Sequence, residues 1–234
     1  MARSPGRGKC VHCLTDPVER TWDHVFPRSW YPDSTPSNLE KWQAPACSDC
    51  NSRLGKVEEE FRLRAALCLE PTSPESRSIV ESARRSIDPS LAKNDADRIH
   101  RENKRRSIVN EILVGSAIPD EGVYPGLGER WDRPKEDQVA LLFPAEKFKT
   151  VSEKIVRGFF YAHSKKFIED PYKIQFFAIN EIQEINATFK RFGEEITRGP
   201  GLKLKYAIAE DGISGIYEIE LWGQFKLHCS VSKS

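Results

Sequence analysis

The chain has 234 residues, of which 38% are hydrophobic and 30% charged, and its formal net charge is +1. This composition is typical of a folded globular protein, and the length allows one large domain or two small ones. Because the charge is close to neutral, nucleic-acid binding would need a local basic patch. No apolar run approaches the ~20 residues that a membrane span requires, and no apolar stretch follows the basic N-terminus. We therefore expect a cytoplasmic protein that does not bind membranes.

The first notable feature is a set of two Cys-x-x-Cys pairs, "CVHC" at residues 10–13 and "CSDC" at residues 47–50. In a reducing compartment, two such pairs favour a tetrahedral zinc site over disulfides. The alternative, a thioredoxin-like redox motif, uses one pair rather than two. Four thiolates complete a structural site, so His12 is expected to be a bystander. The predicted zinc ligands are Cys10, Cys13, Cys47 and Cys50.

Three regions follow from the pattern along the chain. Residues 1–70 contain both cysteine pairs, and apolar residues at helical spacing after Asn51 predict a helix there. Residues 71–134 are a charged helical segment followed by a linker rich in glycine and proline. Its basic stretch 98–106, "RIHRENKRR", would suit either a nucleic-acid backbone or a solvated helix face.

Residues 135–234 return to clear apolar periodicity. An amphipathic helix is predicted around residues 148–162, and three stretches alternate with period two, at 202–208, 217–221 and 225–231. These patterns predict a compact α+β domain with a three-stranded antiparallel meander. Lys203 and Lys205 lie on a polar strand face, where they could contact phosphate or simply keep the strand soluble.

The order "CVHC…DHVFPRS…NL…CSDCNSRLGK", over residues 10–56, resembles the HNH endonucleases, also called ββα-metal or His-Me finger nucleases, in their zinc-binding form. The resemblance implies an α+β fold with a treble-clef-like, zinc-stabilised N-terminal finger. It covers under a quarter of the chain. One departure is Asn51, where many members of the family have histidine.

The resemblance assigns a role to each motif residue. Asp23 and Asn51 would bind one catalytic Mg²⁺ or Mn²⁺, which prefers such oxygen ligands. His24 would act as the general base on water. Because neighbouring residues of a strand point to opposite faces, Asp23 could face the metal ion while His24 faces the attacking water. Asn38 would orient His24. Cationic side chains near the helix start, at Arg53 and Lys56, would contact phosphate.

The function expected from this resemblance is metal-dependent hydrolysis of phosphodiester bonds, with DNA favoured over RNA as the partner. The products would carry 5′-phosphate and 3′-hydroxyl ends. The alternative is a zinc-stabilised nucleic-acid-binding module without catalysis, which would not need Asp23, His24 and Asn51 together. The C-terminal domain could recognise a target, form homodimers or sense a ligand, and its sequence pattern does not separate these roles.

Overall fold

A computed structural model describes residues 4–119, 134–177 and 182–234, without the side chains of 182–184. These ranges form an α+β fold with five helices and antiparallel sheets. The helices are α1 (Ser48–Cys68), α2 (Arg77–Ser86), α3 (Asp95–Asn110), α4 (Ala145–Ser164) and α5 (Ile182–Phe192). The strands are β1 (Arg7–Gly8), β2 (Val18–His24), β3 (Gln43–Cys47), β4 (Ile112–Val114), β5 (Val139–Leu141), β6 (Tyr172–Phe176), β7 (Glu194–Thr197), β8 (Leu202–Ile208), β9 (Gly215–Leu221) and β10 (Phe225–Lys233). Among the described helices, none has the length and apolar character needed to cross a membrane.

The motif region consists of strands β1, β2 and β3 followed directly by α1. Strand β2 pairs antiparallel with β3, which places His24 opposite Gln43. The predicted helix after Asn51 is confirmed, and it begins at the second cysteine pair because the Cys47 sulfur accepts a hydrogen bond from the backbone N–H of Cys50. An acidic residue in the first turn, Asp49, adds favourable charge at this end of the helix.

The charged segment after residue 70 is helical, as predicted, and forms α2 and α3. The side chain of Asn94 caps α3 by accepting a hydrogen bond from the backbone N–H of Asp97. Directly after α3, residues 112–114 form β4, which pairs with β5. The β-branched Ile112 and Val114 suit such a strand. Residues 120–133 of the predicted linker lie outside the described ranges.

The three predicted C-terminal strands are confirmed as β8, β9 and β10, and α4 is the predicted amphipathic helix. Two further strands widen the meander to a five-stranded sheet in the order β6-β10-β9-β8-β7. Both added strands lie at the edges of the sheet. The sequence of β6, "YKIQF", alternates apolar and polar residues but over only five positions, and "EEIT" of β7 is mostly polar, so neither strand was predicted.

Charged side chains on one face of this sheet pair with one another across the strands. Lys203 Nζ lies 3.3 Å from a carboxylate oxygen of Glu220, and the ring of His228 lies 2.9 Å from a carboxylate oxygen of Glu218. Lys205 Nζ instead lies 5.2 Å from the centre of the Phe189 ring on α5. Lys203 therefore has a partner within the sheet and Lys205 one on α5, which favours a structural role over phosphate contact.

One hydrophobic core contains side chains from residues on both sides of the predicted boundaries at 70 and 134. Phe61 of α1 is fully buried, and its ring centre lies 5.3 Å from that of Trp30 and 5.5 Å from that of Phe225. The Trp222 indole N–H donates to the backbone oxygen of Trp30 at 2.9 Å. The C-terminal sheet therefore covers the helix that follows the second cysteine pair.

Candidate functional site

The four predicted zinc ligands meet at one point. Their sulfur atoms all lie within 4.8 Å of one another, and none of the cysteines forms a disulfide. The sulfurs of Cys13 and Cys47 are 3.8 Å apart, which matches the ~3.8 Å separation in a tetrahedral site with Zn–S bonds of ~2.3 Å. A disulfide would instead require an S–S bond of ~2.05 Å. The cluster can therefore hold a metal such as zinc.

Backbone N–H groups point at the cysteine sulfurs and fix their directions. Cys10 Sγ accepts from the N–H of His12 at 3.4 Å and from the N–H of Cys47 at 3.3 Å. Both bonds hold the Cys10 sulfur close to the other three sulfur atoms. Within the described part of the chain, this is also the one group of three or more Cys, His, Asp or Glu side chains arranged to hold a metal.

His24 lies at the end of β2, on the strand face opposite to Asp23. Its Nε2 atom is 3.1 Å from the side-chain nitrogen of Gln43, the residue directly across the strand pair. As placed, the Gln43 amide donates to Nε2; rotating the amide by half a turn would bring its oxygen to the same point, where it would accept Nε2–H. In that arrangement Nδ1 of His24 keeps its lone pair for accepting a proton.

The surroundings of His24 favour its neutral form. Burial lowers the pKa of His24 below its ordinary value of 6.5, and the positive charge of Arg28 lowers it further, against the opposing charge of Asp23. A neutral imidazole at neutral pH is the state that a general base requires.

A groove of about 400 Å³ is lined partly by Gln43, the contact partner of His24, whereas His24 itself does not line it. Two half-buried indoles and two cationic side chains contribute to its wall, together with the carboxylate of Glu40. The Arg198 guanidinium lies 3.3 Å from the centre of the Trp42 ring. The aromatic and cationic lining residues are Trp22, Trp42, Lys41 and Lys165. Aromatic faces next to cations are the chemistry that binds bases and phosphates of single strands.

Asp23 is buried and both of its carboxylate oxygens are already engaged. Oδ2 lies 2.8 Å from Nε2 of His12, and Oδ1 lies 3.3 Å from Nζ of Lys154. Burial works to raise the pKa of Asp23, but the His12 hydrogen bond and the Lys154 charge outweigh it and hold the pKa below 3.8. Asp23 is therefore an ionised carboxylate with two cationic or hydrogen-bonding partners.

The other predicted residues are not brought to the Asp23 carboxylate. Asn51 donates from its amide to the hydroxyl of Thr21 at 3.0 Å, and Thr21 precedes Asp23 by two residues, about 7 Å along the strand. Asn38 is exposed in a turn of the segment between β2 and β3. Arg53 and Lys56 are exposed on α1, whereas His24 points away from that helix.

The predicted Mg²⁺ or Mn²⁺ ligands do not fit a shared divalent ion in this arrangement. Carboxylate and amide oxygens are suitable donors, but Asp23 faces His12 and Lys154 while Asn51 contacts Thr21. A divalent ion bound to Asp23 would have to displace the ammonium group of Lys154.

Two partners of Asp23 were missed from the sequence. His12 is not part of the four-cysteine cluster, as predicted, but it contacts Asp23. Its position inside the first Cys-x-x-Cys pair gave a signal only for zinc. Lys154 lies on α4 among apolar residues, and nothing in its local sequence indicates that it reaches Asp23.

Comparison of the chain with protein-family models, with curated proteins and with solved structures found no match. The functional proposal therefore depends on the geometry around His24 and on the motif resemblance.

Proposed function

We propose that the protein is an endonuclease that hydrolyses phosphodiester bonds of nucleic acid, with DNA favoured by the HNH resemblance. The observation that carries the proposal is the half-buried His24, contacted by Gln43, which also lines a groove of tryptophans and lysines. The strand, strand, helix order of β2, β3 and α1 with an adjoining cysteine cluster supports a ββα-metal-type, treble-clef-like finger.

The chemistry assigned to His24 is proton transfer from water. Its Nδ1 atom would accept the proton while the water oxygen attacks the phosphorus atom and the bond to the leaving oxygen breaks. Gln43 would hold the ring by accepting Nε2–H, which makes it a positioning residue. Because hydrolysis needs this lone pair, the lowered pKa of His24 is consistent with the role.

The groove would hold the substrate strand next to His24. Lys41 and Arg28 are the nearby cations that act on the His24 ring, and they can also balance the charge of a phosphodiester. Trp22 and Trp42 line the groove, and a base bound at Trp42 would share that ring with the Arg198 guanidinium and with Phe159. This local patch provides the basic surface that the near-neutral net charge of the chain does not.

Zinc at the four cysteines would have a structural role. It would tie the turn at residues 10–13 to the point where β3 ends and α1 begins, and so fix the strand pair that carries His24. A closed set of four thiolates leaves no open position for substrate. The proposed hydrolysis uses no step through Mg²⁺ or Mn²⁺, because the contacts of Asp23 with Lys154 and of Asn51 with Thr21 give no support for a common ion.

The alternative is a zinc-stabilised nucleic-acid-binding module without catalysis. The contacts of both Asp23 oxygens with His12 and Lys154 favour this alternative. The carboxylate that would bind the metal ion in an HNH nuclease is then already occupied by side chains of the protein. The groove lined by Gln43 would serve binding in either case.

Replacing His24 with alanine separates the two functions. The proposed nuclease is expected to lose cleavage by roughly 10²–10⁴-fold, the usual contribution of a general base, while nucleic-acid affinity and zinc content stay unchanged. Cleavage of supercoiled plasmid, single-stranded DNA and RNA is measured beside binding to the same substrates by fluorescence anisotropy.

The matched control is His100→Ala, which removes an exposed histidine of α3 distant in sequence from the motif. Both variants are purified identically, so that a contaminating nuclease would cut equally in both preparations. Binding by the wild type without cleavage of any substrate would favour the non-catalytic module. Equal cleavage by wild type and His24→Ala would exclude His24 as the base.

The pH dependence of cleavage follows from the state of His24. The base works when neutral, so the rate rises as pH climbs through its pKa and then levels off. Since burial and Arg28 hold that pKa below 6.5, the rising limb of kcat/KM is expected below pH 6.5. Removing the charge in Arg28→Gln should move the limb to higher pH. A limb above pH 7 in the wild type would contradict this assignment.

A further inference from the structure

Lys154 of α4 is a buried cation placed among oxygen atoms of the motif. Its side chain is 2% exposed, and its ammonium nitrogen lies 2.7 Å from Oε1 of Glu58 and 3.3 Å from Oδ1 of Asp23. It also donates a hydrogen bond to the backbone oxygen of His24. Three oxygens from β2 and α1 thus surround one positive charge.

This placement is built into the packing of α4. Val151 and Ile155, on either side of Lys154 in the helix, belong to the hydrophobic core. One turn later, a Cβ atom added at Gly158 would lie only 3.1 Å from a methyl group of Val25, the residue after His24. The absence of a side chain at Gly158 lets α4 approach the end of β2 closely enough for Lys154 to reach Asp23.

The site around Lys154 has the composition of a cation site. Asp23 and Glu58 are two carboxylates in a poorly solvated region, and such a pair needs a positive charge close by. The remaining oxygen of Asp23 already contacts His12. The ammonium therefore stands where a metal-binding Asp23 would place its ion, and like charges would keep a divalent ion away.

We propose that the ammonium group of Lys154 is the resident cation of this centre and takes the place of a divalent ion at Asp23. Through the backbone oxygen of His24 it also fixes the end of β2, so Lys154 is a positioning residue. This second role depends on the proposed nuclease function, whereas the exclusion of a divalent ion from Asp23 does not.

The first test is binding of Mn²⁺ alone to the full-length, zinc-loaded protein, followed by the electron paramagnetic resonance signal of free Mn²⁺. Up to millimolar Mn²⁺, the wild type and Asp23→Asn are expected to bind the same amount of the ion, since none is bound at Asp23. Binding by the wild type that Asp23→Asn abolishes would overturn the proposal. This comparison holds whether or not Lys154 variants fold.

The second test replaces Lys154 with methionine, which keeps most of the side-chain volume without the charge. Lys154→Met is expected to bind one Mn²⁺ roughly tenfold or more tightly than the wild type, because a positive charge about 4 Å away no longer opposes the ion. Adding Asp23→Asn should remove this gain. Lys149→Met, an exposed position on the same helix, is the control and should not bind. A folded Lys154→Met protein without Mn²⁺ binding would also overturn the proposal.

Cleavage distinguishes this proposal from the nuclease assignment. In buffer stripped of divalent ions by a resin, which spares bound zinc, the wild type should cut as fast as with added Mg²⁺. Strict dependence of cleavage on Mg²⁺ together with Asp23-dependent Mn²⁺ binding would contradict the role of Lys154. An absence of cleavage under every condition would contradict the nuclease function, while the Mn²⁺ measurements would still decide the cation assignment.

Discussion

Replacing Cys47 with serine is expected to remove the bound zinc and to unfold the strands around it. The apolar cluster in this part of the chain is small, and two of its six buried members, Cys10 and Cys50, are themselves zinc ligands. A cluster of that size cannot stabilise three short strands alone. Structural zinc contributes about 10–16 kcal/mol in zinc-finger peptides, so losing one ligand should cost a large part of the local stability.

The measurement combines zinc content by atomic emission with amide hydrogen exchange. In Cys47→Ser, zinc should fall from one ion per chain to near none, and amides of β2 and β3 should lose their protection. The control is Cys68→Ser on α1, which removes a thiol outside the four-cysteine cluster and should keep its zinc. It shows whether the loss of zinc in Cys47→Ser comes from the cluster or from removing any thiol. Full zinc content and unchanged protection in Cys47→Ser would show that the cysteine cluster does not hold the metal.

The cluster of four cysteines could be predicted because the spacing of the cysteines within each pair is a local feature of the sequence. Each Cys-x-x-Cys pair fixes two ligands within one turn of chain, and the second pair is followed by a helix whose period is readable from Leu54 and Phe61. The strands β8, β9 and β10 were also predictable, because apolar residues of one face alternate with mostly polar residues of the other along each strand. Signals of this kind depend only on neighbouring residues.

The partners of Asp23 could not be predicted because they depend on tertiary contacts. Lys154 is separated from Asp23 by most of the chain, and within α4 a lysine among apolar residues would be expected to extend to solvent. Its burial becomes evident only when α4 packs near α1 and β2. His12 was masked by the stronger zinc signal of its flanking cysteines. The sequence thus predicted the four clustered cysteines but not the charges that surround Asp23.

A chain that ends after residue 70 is expected not to reach the native packing of the motif, even with zinc bound. Trp30 and Phe61 are fully buried, and their ring neighbours include Trp222 and Phe225. An aromatic side chain buries roughly 150–250 Å², and at about 25 cal/mol per Å² this is worth roughly 4–6 kcal/mol for each of the two rings. The fragment would expose much of that surface to water.

Charge acts in the same direction as the lost packing. Without α4 the fragment lacks Lys154, so Asp23 and Glu58 lose the cation between them. Near-ultraviolet circular dichroism of the zinc-loaded fragment should show little of the tryptophan signal of the full chain, and adding residues 71–234 as a separate chain should restore part of it. Because the zinc cluster lies wholly within residues 10–50, the fragment should still bind one zinc ion. A native-like aromatic spectrum and cooperative melting of the fragment would instead establish residues 1–70 as an autonomous domain, and the core shared with the C-terminal sheet would then be an interface between two domains.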